Sequence, residues 1–388
     1  MIKLKRLIAD LCPTGVPQVK IDELIAYEQP TKYLVASKSY DDSFPTPVLT
    51  AGQSFLLGYT NEEHGKYPAS VESPVIIFDD FTTAHKWVDF EFKVKSSAMK
   101  MLTLKAGAPI LLRYFWYSLS TIQIDTSEHA RYWISKISNL EIPLPPLEIQ
   151  SEIVKILDTF TQLEAELEKE LVARSSQFNY FKDILFNSNR HRKLVSLESI
   201  CTKITSGGTP ATSNRDFYTG SIPWVRTSEV NFRALTDTEI HISEEALNQS
   251  AAKWIPAQSV VMAMVGATIG KVAYTEIDVT TNQNCCNLII DSKKADYRFV
   301  FFWLWSQYEV IKSSSPGAVP IINSSAIKRL QIPLPPLAEQ KKIARTLASL
   351  QDLIQSSEYG LPAEIKVRRQ QYEHYRDKLL RFEDLVSA

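Results

Sequence analysis

Two kinds of segment alternate along the chain, and each has its own pattern of hydrophobic and polar positions. Residues 1–141 and 190–331 contain short apolar runs bounded by turn residues, as at 74–78, which is typical of short strands in a mixed α/β fold. Residues 147–187 and 337–383 contain almost no glycine or proline, and their apolar residues recur at helical spacing. The pattern therefore predicts two α/β segments, each followed by a long helix.

In both helical segments the apolar positions step alternately by four and three residues, the heptad spacing of a coiled coil. The positions expected in this seam are Ile153, Ile156, Phe160, Leu163, Leu167, Phe178, Phe181 and Leu185 in the first helix and Ile343, Leu347, Leu350, Ile354, Tyr372, Tyr375 and Leu379 in the second. A break is expected at Gly360–Pro362. Each stripe could instead be ordinary amphipathicity on a globular core, but both copies keep the spacing over several turns. We therefore expect the two helices to pack as an antiparallel coiled coil.

The chain also repeats itself. The hexapeptide IPLPPL occurs at 142–147 and again at 332–337, and each copy is followed by a matching glutamine, Gln150 or Gln340. The matched stretches are, in chain order, 19–24 with 195–200, 96–102 with 282–288, 142–147 with 332–337, and 177–183 with 371–377. An ordered series of matches indicates a duplicated unit and pseudo-two-fold symmetry. The predicted division is an α/β domain at 1–145, a helix at 146–188, an α/β domain at 189–335 and a helix at 336–388.

Composition narrows the class of protein. The 388 residues carry 43 Lys and Arg against 44 Asp and Glu, a net charge of −1, which excludes a polybasic nucleic-acid coat while leaving local basic grooves open. We find neither a secretory signal nor an apolar run long enough for a membrane span. The four cysteines form no CxxC pair, so we expect free thiols and a cytoplasmic location.

Two motifs resemble catalytic sites. Residues 266–272, GATIGKV, are one residue short of a phosphate-binding loop and lack its Ser or Thr, so a tight turn that presents Lys271 is the preferred interpretation. Asp79, Asp80, Glu91 and Lys93 form a D…ExK pattern that could hold Mg²⁺ in a stand-alone nuclease. The alternation of charge at 88–95 also fits an exposed strand face, so the nuclease is the alternative hypothesis. We predict no catalytic residue and no metal site.

Polar loops of the α/β segments are the better candidates for function. Amide side chains pair with adenine edges and arginine with guanine, although polar turn formers would look the same. The candidate DNA contacts are Lys86, Trp87, Lys95, Ser96, Ser97, Lys100, Arg131, Tyr132 and Trp133 in the first segment and Ser206, Gly207, Gly208, Thr209, Arg226, Thr227, Ser228, Asn231, Lys271, Thr281, Asn282, Gln283 and Asn284 in the second.

Taken together, these motifs resemble the specificity subunit of type I restriction-modification systems, over nearly the whole chain. The resemblance lies in the IPLPPL entries with their glutamines, the helix exits at 180–185 and 375–380, the loop at 205–210, and the segments 10–17, 266–272 and 281–284. A coiled-coil adaptor that binds only proteins is a third hypothesis.

The resemblance implies that each α/β domain is a target-recognition domain reading one half of a bipartite, interrupted double-stranded DNA target. The helices would set the spacer and dock partner subunits. The implied partners are two adenine-N6 methyltransferase subunits and two ATP-dependent restriction subunits. S-adenosylmethionine, ATP and Mg²⁺ would bind to those partners, and this chain would be non-catalytic and bind no cofactor. Because the first domain lacks the Gly-Gly-Thr-Pro loop of the second, we expect the two half-sites to differ.

Overall fold

The computed structural model describes residues 2–37, 39–52, 54–126, 130–187, 193–313 and 320–382. The helices are α1 Ile2–Leu11, α2 Ile21–Leu24, α3 Leu112–Leu119, α4 Tyr132–Ser135, α5 Leu147–Asn187, α6 Glu244–Asn248, α7 Tyr297–Ser306, α8 Tyr308–Ser313, α9 Ser324–Arg329, α10 Leu337–Gln355 and α11 Leu361–Arg381. Short 3₁₀ turns lie between several of them. In the part of the chain that is described, none of these helices combines the length and apolar character that a membrane span requires.

The strands fall into two series that match in order. The first is β1 Gln18–Lys20, β2 Ile25–Glu28, β3 Thr46–Leu49, β4 Leu56–Thr60, β5 Val75–Asp79, β6 His85–Val88, β7 Lys93–Val94, β8 Met99–Leu104 and β9 Glu141–Pro143. The second is β10 Leu194–Ser196, β11 Cys201–Ser206, β12 Ile222–Val225, β13 Ala234–Leu235, β14 His241–Ile242, β15 Val260–Ala263, β16 Val272–Thr275, β17 Thr280–Thr281, β18 Cys285–Ile290 and β19 Gln331–Pro333.

The chain forms two compact units that do not follow the linear order of the sequence. Unit 1 consists of Met1–Leu167 together with Ile365–Ala388, and unit 2 consists of Glu168–Glu364. Each unit therefore contains one α/β segment, part of α5 and one further helix, which is α11 in unit 1 and α10 in unit 2. The linear four-part division stays a prediction, and its boundary at 188/189 lies outside the described residues.

The two units share one sheet topology, except that unit 2 has an additional strand, β13, at the edge of its larger sheet. In unit 1 the strands are ordered β2-β8-β5-β6 in one sheet and β4-β3-β7 in another. In unit 2 the orders are β11-β18-β15-β16-β13 and β14-β12-β17. The pairs β3·β7 and β12·β17 are both parallel, while the neighbouring pairs β3·β4 and β12·β14 are antiparallel. The predicted mixed α/β fold and the duplication are confirmed.

The structure explains why two distant sequence stretches repeat together. Val19 pairs with Ile142 in the antiparallel ladder of β1 and β9, and Val195 pairs with Ile332 in the ladder of β10 and β19. Both isoleucines are buried. The repeated hexapeptide is therefore one strand of a two-stranded ladder, and the upstream repeat supplies its partner strand.

A buried glutamine joins each ladder to the helix that follows it. The prolines end the ladder, and α5 and α10 begin directly after them because residues before proline avoid the helical region. Gln150 donates from Nε2 to the Pro145 carbonyl at 2.8 Å and accepts from the Leu111 N–H at 2.8 Å. Gln340 makes the same bonds, at 2.8 Å to the proline carbonyl before α10 and at 2.9 Å from the Asp296 N–H. Both glutamines are at most 1% exposed.

Helix packing in unit 1 follows the predicted seam in part. Phe160 of α5 stacks on Tyr375 of α11 with ring centroids 5.4 Å apart, and Arg369 Nε donates to Glu164 at 2.8 Å. Residue numbers rise along α5 as they fall along α11, so these helix segments are antiparallel. Ile153 and Leu157 are buried in a cluster that contains both residues of the α/β segment and Leu379 and Leu380 of α11. This part of α5 thus packs on a core that the α/β segment and α11 share.

In unit 2, helix residues from both sequence copies share one core. Phe178 and Phe186 of α5 are buried in the same cluster as Ile343 and Leu347 of α10. The seam prediction is wrong for Phe181, which is 38% exposed. The buried positions here are Phe178 and, four residues later, Lys182, whose ammonium lies 5.0 Å from the ring of Trp305. An aromatic wall makes this burial of the lysine stem possible, and desolvation lowers the pKa of Lys182.

Gly360 lies at the predicted helix break. A side chain there would place its Cβ 2.6 Å from the carbonyl oxygen of Asp352. The helix α10 ends at Gln355 and α11 begins at Leu361. The expected interruption is therefore confirmed, but it lies at 356–360, and Leu361 and Pro362 belong to the first turn of α11.

Candidate nucleic-acid interface

Four loops of unit 2 meet at one end of its sheets. They are the connections at 206–210, 226–233, 264–271 and 282–284, which we call the unit 2 loops. Their ends are joined by backbone hydrogen bonds, from Gly208 N–H to Thr281 O at 2.9 Å, from Asn282 N–H to Val225 O at 3.0 Å and from Met264 N–H to Asn284 O at 2.9 Å. The predicted candidates of the second segment, scattered over 206–284 in the sequence, are thereby brought together.

The glycine pair of the first loop packs against protein. A Cβ on Gly207 would lie 2.0 Å from the Thr281 carbonyl oxygen, and one on Gly208 would lie 2.2 Å from the carbonyl carbon of Ala251. The glycines are therefore buried spacers between backbones, and the prediction that they contact DNA is wrong. Thr281 is also wrongly predicted, because it is fully buried and its Oγ1 accepts a hydrogen bond from Asn287.

Side chains at the tips of these loops stay accessible. Thr209 donates to Gln283 Oε1, and Lys271 donates to Asn231 Oδ1 at 2.8 Å. Gln283, Asn231 and Ser228 are exposed, and Asn282 is half-buried. These groups offer amide and ammonium donors next to each other, which suits contacts to base edges and phosphates.

The segment that resembled a phosphate-binding loop is a tight turn. A 3₁₀ turn at Gly266–Thr268 joins β15 to β16, and Gly270 has a positive φ of 77°. The Lys271 N–H donates to the Thr268 carbonyl at 3.0 Å. The interpretation as a turn that presents Lys271 is confirmed.

Unit 1 places a matching set of loops at the same end of its sheets. The backbone N–H of Asp80 donates to the Ala98 carbonyl at 3.0 Å, and its carbonyl accepts from the Tyr132 N–H at 2.8 Å. The segment 95–98 and Arg131 are thereby neighbours. Lys95, Ser97 and Arg131 are exposed and Ser96 is half-buried, so these four predicted residues remain candidate contacts.

Three predicted contacts of unit 1 are wrong because their side chains are buried. Lys100 is fully buried and paired with Asp80 at 3.1 Å, where both side chains are 1% exposed. Tyr132 and Trp133 are core residues, 0% and 1% exposed. The Asp80 carboxylate also accepts from the Trp133 N–H at 2.8 Å. These buried residues, with Asp80 at their centre, lie beneath the loops of unit 1 and hold them in place.

The edge strand β6 carries two further candidates. Lys86 and Trp87 lie within the strand, paired with Ile77 and Ile76, and both are half-buried. The guanidinium of Arg113 lies 4.8 Å from the ring of Trp87. Trp87 thus packs against an arginine and remains half-buried, and both Lys86 and Trp87 stay predictions outside the loop cluster.

The residues of the alternative nuclease are separated in the structure. Asp80 is bonded to Lys100, Asp79 Oδ1 accepts from the Phe81 and Thr82 N–H groups, and Lys93 is buried with Glu62 at 2.7 Å. Lys93 belongs to the sheet β4-β3-β7, and Asp79 to the other sheet. Within the described ranges no three His, Cys, Asp or Glu side chains form a group that could hold a metal ion. Nothing in this arrangement supports a nuclease centre.

Sequence reasoning missed two loops of unit 1. Leu49 pairs with Val94 as Val225 pairs with Thr281, so the segment after Leu49 corresponds to the loop that contains Arg226. Likewise, β2 corresponds to β11, so the segment 29–33 corresponds to the loop 206–210 that contains the glycine pair. These equivalences rest on strand register, because the loops themselves share no sequence.

The four cysteines are free thiols, and Cys12, Cys285 and Cys286 are buried. Burial raises the pKa of Cys286 to about 11 and that of Cys201 to about 12. These thiols are therefore protonated near neutral pH and are poor nucleophiles.

Comparison with known proteins agrees with the duplicated architecture. The family model for the type I restriction modification DNA specificity domain matches the chain twice, over residues 16–174 and 190–367. This chain belongs to that family. It is 40% identical over 383 residues to the type I restriction enzyme EcoR124I/EcoR124II specificity subunit of Escherichia coli, covering 95% of this chain and 94% of the relative. It is 27% identical over 350 residues to a putative type I restriction enzyme specificity subunit of Haemophilus influenzae, and the match covers 85% of this chain and 86% of the relative.

Solved structures of this type I specificity family share the fold. The S subunit of a type I restriction-modification system from M. genitalium superposes with a TM-score of 0.59 at 15% identity, covering 95% of this chain and 97% of the other. A second solved chain, from a structural study of complex assembly and conformational transition of the type I R-M system, superposes with a TM-score of 0.57 at 16% identity. The match covers 95% of this chain and 98% of that chain. The family model and the 40% identical relative identify the chain as a DNA specificity subunit of a type I restriction-modification system. The solved structures show that the fold, with two α/β segments in tandem, is the one they share.

Proposed function

We propose that unit 1 and unit 2 each read one half of a single interrupted DNA target. The observation that carries this proposal is that both units place loops at the same end of the same sheet topology while filling them with different side chains. Asn282, Gln283 and Asn284 occupy in unit 2 the positions of Ser96, Ser97 and Ala98 in unit 1, as the registers of β8 and β18 require. Two like scaffolds with unlike loops support two unlike half-sites.

The spacer between the half-sites is assigned to the helices. Two recognition modules of one protein contact half-sites about one helical turn of DNA apart, roughly 34 Å, on one face of the duplex. The 41 residues of α5 rise about 60 Å at 1.5 Å per residue. A helix of this length is a suitable strut, and its antiparallel contact with α11 stiffens it within unit 1.

We further propose that DNA methylation and DNA cleavage are catalysed by partner subunits. The adenine-N6 methyltransferase subunits would bind S-adenosylmethionine, the restriction subunits would bind ATP and Mg²⁺, and this chain would supply no catalytic group and act in the cytoplasm. Two partner subunits of each kind match a chain with two like units. Exposed apolar side chains on α5, such as Val172 at 67% and Tyr180 at 63% exposure, support docking of a methyltransferase subunit along this helix.

Methylation mapping tests the proposal. The chain is co-expressed with its methyltransferase subunit in a host that lacks adenine methylation, and modified adenines are located by sequencing. The expected result is one interrupted motif with two different halves. A continuous motif, or no methylation by an assembled complex, would contradict it. The methyltransferase alone is the control, and cleavage of DNA by the purified chain with Mg²⁺ would show that a nuclease had been missed.

A further inference from the structure

Two carboxylates surround the guanidinium of Arg226 in the unit 2 loops. Arg226 Nη2 donates to Glu239 Oε2, and Nε lies 3.7 Å from Glu229 Oε2. The arginine side chain is 35% exposed, Glu239 is 70% exposed and Glu229 is 4% exposed. One carboxylate is thus inside the protein, next to Nε, and the other is at its surface, next to Nη2.

The buried carboxylate also fixes the backbone on which the arginine stands. Glu229 accepts from the Arg226 N–H at 2.9 Å through Oε2 and from the Glu239 N–H at 2.8 Å through Oε1. It therefore ties both ends of the segment 226–239 together. Arg226 follows β12 directly, and the Asn282 N–H bonds to Val225 O at 3.0 Å, so the arginine stands beside the amide loop.

A count of donors shows what is left for a ligand. A guanidinium has five N–H groups in a fixed plane. Nη2 donates one hydrogen to Glu239, and the buried Nε–H faces Glu229 Oε2 at 3.7 Å without forming a hydrogen bond. Both Nη1 hydrogens and the second Nη2 hydrogen remain for a ligand, and among the described residues Nη1 has no hydrogen-bond partner. These hydrogens form the end of the fork, the geometry that pairs with O6 and N7 of guanine.

We propose that Glu239 and Glu229 are positioning residues that hold Arg226 end-on, so that it reads a guanine in one half-site. This inference rests on the proposed function and deepens it. The two carboxylates fix the plane of the guanidinium, and their charge offsets its own, so the arginine adds little to general attraction for phosphates. In unit 1 the register places Thr50 at the position of Arg226, so that half-site lacks this contact.

The test uses the full chain assembled with its methyltransferase subunit, after the wild-type motif has been mapped. Binding is measured to duplexes of the mapped motif in which each base pair is replaced in turn, and to one unrelated duplex. Glu239→Ala should reduce discrimination at a single G·C pair of one half-site by about fivefold or more, because a bidentate contact is worth about five- to hundredfold. Affinity for the unrelated duplex should fall by less than twofold or should rise.

Asp237→Ala is the matched control. Asp237 lies two residues away, is 74% exposed and bonds to His241 rather than to Arg226. It should leave every base preference unchanged. Arg226→Lys keeps the charge but removes the fork, and it should relax the same G·C pair. In the Arg226→Lys background, Glu239→Ala should have no further effect, because the carboxylate acts through the arginine.

Three results would overturn the inference. The first is an equal rise in affinity for all duplexes with Glu239→Ala, which would make Glu239 only a competitor for the arginine. The second is an unchanged base preference in the Glu239→Ala variant. The third is an additive effect of Arg226→Lys and Glu239→Ala in the double variant. Failure of the proposed function is a separate outcome, because it appears earlier, as the absence of an interrupted motif for the wild-type complex.

Discussion

The buried ion pair of Asp80 and Lys100 shows how a single residue can mislead sequence analysis. Lys100 alternates with Met99 and Met101 on β8, which predicts an exposed lysine. However, β8 lies inside the sheet β2-β8-β5-β6 and is covered on both faces, by one core that contains Met101 and another that contains Leu102. Alternation identifies the two faces of a strand, but only the tertiary fold decides whether the second face is covered.

Lys100→Met should destabilise the protein by about 3–5 kcal/mol, because it leaves the Asp80 carboxylate buried without a cation. Denaturant unfolding measures this. Combining it with Asp80→Asn should recover most of the loss, since the amide oxygen still accepts from Trp133 and no buried charge remains. An exposed DNA-contacting lysine would give a stable single variant with weaker DNA binding, and that outcome would contradict our assignment.

The paired glutamines give a second prediction for single residues. Gln150→Met should lower the free energy of unfolding by about 2–4 kcal/mol, because the Leu111 N–H and the Pro145 carbonyl lose their buried partner. Gln162→Met on the same helix is the control, since Gln162 is exposed and bonds to the exposed Glu166 at 2.9 Å. Equal stability of the two variants would refute a structural role for the repeated glutamine. The sequence marked this residue by repetition, but its hydrogen-bond partners became apparent only from the fold.

At the scale of elements, heptad spacing predicted the helices better than it predicted their contacts. The starts of α5 and α10 after proline and the break at Gly360 follow from local backbone rules. The buried side of α5, by contrast, changes from Ile153 and Leu157 in the core of unit 1 to Phe178 and Lys182 in unit 2. A period read from one helix cannot tell which of several neighbouring surfaces each turn will face.

A double-mutant cycle tests the antiparallel contact in unit 1. Phe160→Ala and Tyr375→Ala should each destabilise the protein, and the double variant should show a coupling of about 0.5–1.5 kcal/mol from the lost ring contact. Thermal or denaturant unfolding provides the numbers. The pair Phe160→Ala with Tyr359→Ala serves as the control, because Tyr359 is 71% exposed and should show no coupling to Phe160. Zero coupling between Phe160 and Tyr375 would remove the basis for the helix pair.

At the scale of the whole molecule, the duplication was readable in the sequence but the composition of the units was not. Repeated motifs predicted two similar halves in chain order. The structure instead assigns residues from 365 onward to unit 1 and the second part of α5 to unit 2. Helix exchange of this kind depends on long-range packing, which leaves no local signal. The equivalence of 96–102 and 282–288 was visible in the sequence, whereas that of the segments after β2 and β3 with loops of unit 2 was hidden, since it rests on strand register.

Reciprocal exchange of matched loops tests the central claim, that each unit reads its own half-site, most directly. One variant carries Asn282→Ser, Gln283→Ser and Asn284→Ala, and the other carries Ser96→Asn, Ser97→Gln and Ala98→Asn. Methylation mapping of each variant with its methyltransferase subunit should show a change in one half of the motif only, in opposite halves for the two variants, with the spacer unchanged. A change in both halves from a single exchange, or in the same half from both, would contradict the account.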